Sequence, residues 1–163
     1  MESIKEVLMI HTPVRVYTNG DIYRQSKSKN KEWKLVKASM TKTGYLKCAF
    51  DKKFFYVHRI VAHAFLGLDI DDSVLQVDHI NLNKKDNTIE NLRLVSCREN
   101  SYNKNSKGYC WDKDRLKWMA NIRYNGMSKF IGRYETKEEA HQAYLDAKKV
   151  YHIIPNKSPR NYV

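Results

Sequence analysis

Apolar and polar positions alternate with a period of two along the first third of the chain. Val14-Arg-Val-Tyr17 alternates, Asn19-Gly20-Asp21 is a tight-turn signal, and Ile22-Tyr23 resumes the extended run. Leu35-Val36, the run Tyr45–Phe50 after Gly44, and Phe54–Val57 continue it, so residues 14–56 are predicted to form an antiparallel sheet. Between them Arg24–Lys34 is polar and dense in lysine, and is predicted to be a loop. At Val57 the period changes. Val57, Ile60, Val61, Ala64 and Phe65 fall on one side of a helix that Gly67 would end, and an acidic loop, Asp69–Ser73, follows.

Val77 and Ile80 flank an Asp78-His79 pair as the end of a short strand would, and Asn81–Asn87 is rich in turn formers. Ile89, Leu92, Leu94 and Val95 supply a second apolar run. Ser96 is a good helix N-cap with Glu99 three residues on, which places Asn100 and Asn103 on one face of a short helix. After a linker at Lys104–Gly108, Cys110-Trp111, Lys117–Arg123 and Lys129–Tyr134 read as three short strands, the last two joined by the hairpin signal Tyr124-Asn125-Gly126. In the middle strand Trp118, Ala120 and Ile122 face one way, and Met119, Asn121 and Arg123 the other. Thr136 with Glu139 then opens a helix as a capping box, along which Ala140, Ala143, Tyr144 and Ala147 form a narrow stripe suited to lying on a sheet.

The predicted fold class is therefore α+β and modular. An N-terminal antiparallel sheet (residues 1–56) precedes a central ββα element (57–105) and a three-stranded sheet packed on one helix (106–163). The tail from Pro155 is a loose end.

Charge sharpens this division. The 163 residues carry a net charge of +12, which favours a polyanionic partner. Residues 1–56 hold 12 Lys and Arg against 5 Asp and Glu, residues 57–105 hold 6 against 7, and residues 106–163 hold 12 against 6. Two basic flanks bracket a slightly acidic centre, as expected if the flanks grip phosphates and the centre holds a cation. The cysteines, Cys48, Cys97 and Cys110, are odd in number and form no CxxC pair, so neither a disulfide framework nor a structural zinc site is expected. No apolar run reaches membrane-spanning length and no secretion signal opens the chain, so a reducing, cytoplasmic setting without membrane contact is expected.

Only the stretch from Val77 to Asn103 has spacing that suggests bond-breaking chemistry. Asn91 follows His79 by twelve residues and Asn100 follows Asn91 by nine. Taken singly, an Asp-His dipeptide or an asparagine in a turn is ordinary. Within one strand-loop-strand-helix frame an acid, an imidazole and an amide oxygen are able to converge. Oxygen ligands from Asp78 and Asn100 suit a hard cation such as magnesium, with His79 as the base. His58 and His63, five apart on the preceding helix, lie on different faces and are expected to pack or to sit at the surface.

This stretch resembles the HNH nuclease motif with its ββα-metal fold, and more closely the intron-encoded homing endonucleases of bacteriophages, in which D-H, N-L-R and a helical Asn replace the His-Asn-His pattern. The phrase VHRIVAHAF before the Asp-His pair is shared with that family too. The resemblance implies that Asp78 and Asn100 hold one divalent cation, magnesium or else manganese, that His79 deprotonates the attacking water, and that Asn91 fixes the loop and orients His79. An N-terminal sheet contacting double-stranded DNA is implied as well, with Arg24 and Lys27 in the lysine-dense stretch as its contacts.

A second resemblance covers residues 107–152. The pattern Gly108, Trp118-x-Ala-x-Ile-Arg123, Phe130-Ile-Gly-x-Tyr134 and Ala140-x-x-Ala-Tyr144 is similar to the plant ethylene-response-factor DNA-binding domain, whose sheet docks in the major groove. By position, that resemblance implies DNA contact by Asn121, Arg123 and Phe130, with Lys129 and Arg133 beside them. The combined expectation is a site-specific homing-type endonuclease nicking duplex DNA as a monomer, with no protein partner evident. The rivals are a DNA-binding regulator with an inactive centre and an RNA-binding module.

Overall fold

The computed structural model describes residues 3–26 and 29–154, so Lys27 and the tail from Pro155 lie outside the described residues. The fold is mixed α+β, with several small antiparallel sheets and three α-helices among the described residues. Two compact units are present, one built from residues 3–97 and the other from 98–154.

In the first unit, β1 (Ile4–Met9), β2 (Thr12–Tyr17), β3 (Ile22–Gln25) and β4 (Trp33–Leu35) form an antiparallel sheet in that order. The Asn19–Asp21 signal makes the β2–β3 turn: Gly20 takes φ 91°, and the Asp21 amide donates to the Asn19 side chain at 2.9 Å. The predicted loop Arg24–Lys34 is strand at both ends. Arg24 pairs with Lys34 and Gln25 with Trp33, because backbone pairing continues past the last hydrophobic signal and Ser26 N donates to Glu32 O at 2.7 Å. Strand β1 lies along the whole of β2, yet only Met9 of it is buried, with Ile4 and Leu8 exposed.

A second sheet joins β5 (Ser39–Met40), β6 (Leu46–Phe50) and β7 (Lys53–Tyr56). Asp51 and Lys52 make the two-residue β6–β7 turn with φ 46° and 67°, the left-handed pair that suits strand twist. The predicted helix is α1 (Val57–Leu66), ended by Gly67 at φ 73° with its amide donating to Ala62 O. One hydrophobic core runs through these elements. Val14, Val16 and Ile22 of the first sheet, Phe50 and Phe55 of the second, and Ile60, Val61 and Ala64 of α1 are buried with Leu92 and Leu94. Each fully buried aliphatic such as Ile60 contributes roughly 1.5–3 kcal/mol. Against this core lies the two-stranded ribbon of β8 (Gln76–His79) and β9 (Leu92–Val95), with a 3-10 turn at Ile89–Asn91 before β9.

The short helix α2 (Cys97–Tyr102) falls with the second unit from Arg98 onward. There β10 (Tyr109–Asp112), β11 (Lys117–Tyr124) and β12 (Met127–Tyr134) form an antiparallel sheet, with α3 (Lys137–Tyr151) against one face. Thr136 Oγ1 accepts from the Glu139 amide, and the Glu139 carboxylate accepts from the Thr136 amide, each at 3.2 Å. Ala140 and Tyr144 of the stripe are buried, as are Ala120 and Ile122 of the sheet. Gly108 takes φ 72° where a Cβ would lie 1.9 Å from the Tyr144 ring, so the approach of this loop to the helix excludes any side chain.

Candidate active site

Asp78 and His79 sit at the end of β8, opposite Arg93 and Leu92 of β9. Neighbouring residues on a strand point to opposite faces, so the carboxylate and the imidazole enter different surroundings. Asp78 is 6% exposed, and its Oδ2 accepts from Arg93 Nε at 2.8 Å and from Arg93 Nη2 at 2.7 Å. His79 is 4% exposed and its Nε2 lies 3.1 Å from Asn87 Oδ1. The Asn87 amide nitrogen donates to Lys85 O at 3.1 Å, which turns its oxygen toward the ring. His79 therefore donates from Nε2 to the Asn87 side-chain oxygen.

The loop between the two strands is built by asparagines. Asn91 Oδ1 accepts from the Asn81 amide at 2.9 Å, Asn91 Nδ2 donates to Asp86 O at 2.8 Å, and the Asn91 carbonyl accepts from Ile80 N at 2.9 Å. Asn91 thus closes the loop that starts directly after His79, and it touches the backbone beside the imidazole. Asp86 Oδ1 accepts from the Thr88 hydroxyl and amide, and Asp86 Oδ2 from Asn81 Nδ2. Those bonds, led by Thr88, hold the Asp86 carboxyl below the usual carboxylate range. From the N-terminal sheet, Thr18 O accepts from Ile89 N at 2.8 Å, and Gly20 lies so close to Asn87 that a Cβ there would meet the Asn87 carbonyl at 2.9 Å.

Aromatic rings complete the surroundings of His79. The His58 ring stands edge-on to it at 5.2 Å between centroids, and Tyr45 lies at 6.0 Å. His58 is 7% exposed, stacks on Tyr56 at 5.4 Å, and its Nδ1 has no hydrogen-bond partner among the described residues. Burial, then the proximity of His79 and Arg59, pushes its pKa down to about 3, so His58 is a neutral packing partner at every ordinary pH.

Neither His58 nor Asn87 stood out in the sequence as part of this site. Spacing along α1 placed His58 in a packing or surface role, and Asn87 was one of several turn formers. Asn100 is half-buried on α2 and belongs to the second unit. Arg24 projects from β3 on the side of Val14, into a cleft of the first unit.

In the second unit the strand register sorts the remaining candidates. Asn121 pairs with Phe130, Arg123 with Ser128 and Met119 with Arg133, so Asn121, Arg123, Phe130 and Arg133 share the face turned away from α3. A bulge between Ala120 and Asn121 keeps this alternation in phase. Phe130 is 52% exposed, with the Arg133 guanidinium 5.0 Å over its ring and Arg133 Nε 2.8 Å from Asp112 Oδ2. Lys129 is not brought to this group. It pairs with buried Ile122, and its ammonium lies 4.4 Å over Tyr151 of α3. No helix among the described residues is long and apolar enough to cross a membrane.

The chain is 32% identical over 120 residues to an uncharacterized HNH endonuclease of Acanthamoeba polyphaga mimivirus, across 69% of this chain and 63% of that protein, and so spans less than two thirds of the relative's length. Among solved structures, the HNH homing endonuclease I-HmuI, a DNA-binding and DNA-cleaving protein, aligns with 79% of this chain and 75% of its own at 26% identity and a TM-score of 0.46. Residues 55–102, the stretch that contains Asp78, His79, Asn91 and Asn100, match the model of the HNH endonuclease family.

Proposed function

We propose that this protein is a homing-type DNA endonuclease that hydrolyses one phosphodiester per encounter, with His79 as general base. The observation that supports this is the buried His79, held at Nε2 by Asn87, beside a buried carboxylate in a segment that matches the HNH endonucleases. His79 takes a proton from water, the oxygen attacks phosphorus as the bond to the 3′ oxygen breaks in line, and the 3′ oxygen takes up a proton from solvent, leaving 5′-phosphate and 3′-hydroxyl ends. Asn91 acts as a positioning residue by closing the loop that begins at Ile80.

A carboxylate and an amide oxygen form a hard donor set, which fits a hard divalent cation. Asp78 and Asn100 would hold one such ion, magnesium in the first place and manganese as the alternative. When bound, the ion would stabilise the charge that develops on the phosphoryl and leaving oxygens. Residues 1–56 and 106–163 would hold duplex DNA on either side of the nuclease segment. Asn121, Arg123, Phe130 and Arg133 would serve as one contact face, Arg24 and Lys27 as contacts on the other flank, and Lys129 would lie off the shared face. One site per chain gives a nick by a monomer as the default outcome.

The Arg93–Asp78 ion pair favours a second reading, a DNA-binding regulator, because a guanidinium already neutralises the carboxylate. Supercoiled plasmid, incubated with and without magnesium, separates the two. Nicking that needs the ion, and that falls at least ~100-fold in His79→Ala while DNA retention is unchanged, is the expected result. Full cleavage by His79→Ala removes this base from the mechanism, and retention without cutting by the unaltered protein supports the regulator.

A further inference from the structure

The first unit contains a cleft of about 770 Å³ between the end of the four-stranded sheet and the β6–β7 turn. It is lined by Arg24 of β3, Lys34 of β4 and Lys52 of the turn, with Ala49 exposed between them and Phe50 buried beneath. Arg24 and Lys34 stand directly opposite each other on paired strands, on the same side as the core residue Val14. Like charges in that register repel, and a solvated surface has no reason to place them there. Neither Arg24, Lys34 nor Lys52 makes an ion pair among the described residues, and Asp51, the one acid in the lining, accepts from the His11 amide at 3.3 Å and from Thr12 Oγ1 at 3.0 Å, so three cations share the cleft with one carboxylate.

The cleft thus combines an excess of cations over acids with a small apolar floor at Ala49. A sugar–phosphate chain matches both, since its phosphates are anionic and its deoxyribose rings present carbon to the floor. Protein carboxylates would satisfy the charge but leave the floor unused. We propose that this cleft holds a stretch of the DNA backbone, with Arg24, Lys34 and Lys52 as phosphate contacts that position the duplex without reading its sequence. This rests on the DNA endonuclease reading and adds to it a defined phosphate track in the N-terminal sheet.

The test uses the full chain carrying His79→Ala, a fluorescent duplex, and anisotropy titrations between 50 and 200 mM salt. Each lost phosphate contact lowers the slope of log K against log salt by about 0.9. In that background Arg24→Gln with Lys34→Gln is expected to reduce the slope by about 1.8, and adding Lys52→Gln by about 2.7. Arg24→Lys, which keeps the charge, is expected to leave the slope in place. A charge-matched control, Lys37→Gln with Lys137→Gln, is expected to change it less than the cleft pair does. An unchanged slope in the cleft variants, or a fall no larger than the control's, overturns the proposal. Plasmid nicking by the unaltered protein is scored separately. Nicking with no slope change removes only the cleft, whereas a slope change in a protein that never nicks removes only the endonuclease reading.

Discussion

Replacing His58 by leucine should make the protein more resistant to acid while changing little at neutral pH. His58 is buried against Tyr45, Tyr56 and His79, with Arg59 next in the chain, and its Nδ1 has no partner among the described residues. Its pKa is lowered to about 3, from an ordinary value near 6.5. The folded state therefore binds fewer protons than the unfolded state throughout the interval between those values. Stability drops as pH falls below about 6.5, and the loss is complete near pH 3. At pH 4.5 the unfolded histidine is charged and the folded one is still neutral. Two pH units below 6.5 then cost about 2.7 kcal/mol from this residue alone, at 1.36 kcal/mol per unit. Leucine is of similar size and has no proton to gain. At pH 7.5 the variant should lie within about 1.5 kcal/mol of the unaltered protein, because apolar exchange at similar volume is tolerated and an unpartnered nitrogen is removed. Urea unfolding followed by far-UV circular dichroism at both pH values measures this. All other titratable groups are common to the two proteins, so the quantity to read is the stability difference between them at each pH. That difference should move in favour of leucine by about 2.7 kcal/mol on going to pH 4.5. A difference equal at the two pH values would mean that His58 takes up a proton as readily folded as unfolded.

Two further outcomes are expected in the second unit. Gly108→Ala should destabilise the protein by about 2–5 kcal/mol, from a left-handed φ and a Cβ driven into the Tyr144 ring, whereas Gly126→Ala, at φ 83° with open space around it, should cost only the backbone part of roughly 1–2 kcal/mol. Thermal melts of both variants check this, and equal losses would show that the Tyr144 contact gives way freely. Arg123→Ala should weaken duplex binding, with a salt slope shallower by about 0.9 if the side chain meets a phosphate, or with relaxed sequence preference if it meets a base. Titrations that moved neither quantity would take the outer face of the C-terminal sheet out of DNA binding.

The parts of the fold that were legible in the sequence are those where a local rule and the tertiary structure agree. Asn19-Gly20-Asp21 forms its turn through bonds within five residues, and the capping box at Thr136 and Glu139 is likewise local. Helix α1 was visible because its apolar stripe meets a core. Strand β1 was not visible, and of β4 only its end at Leu35 was, for opposite reasons. Ile4 and Leu8 are apolar but exposed, so the hydrophobic pattern of β1 does not follow burial. In β4 the residue on the inner side is Lys34, facing Arg24, so the apolar residues Trp33 and Leu35 mark only its outer side. A strand whose inner face is charged reads as a loop.

The site divides along the same line. The spacing of Asp78, His79 and Asn91 was legible because a strand end, a loop and a second strand set it, and Asn91 closes that loop through bonds that span five to eleven residues. Asn87 was hidden because its position is decided from far away. The β2–β3 turn brings Gly20 against the Asn87 carbonyl, Thr18 O takes the Ile89 amide, and only then does the Asn87 oxygen face His79 Nε2. No pattern within the 77–103 stretch contains that information, since more than sixty residues separate Gly20 from Asn87. The side-chain oxygen that meets His79 Nε2 is thus placed with the help of a hairpin of the N-terminal sheet. The glycine there is required twice, for its φ of 91° and for the absence of a Cβ against the loop that orients the imidazole.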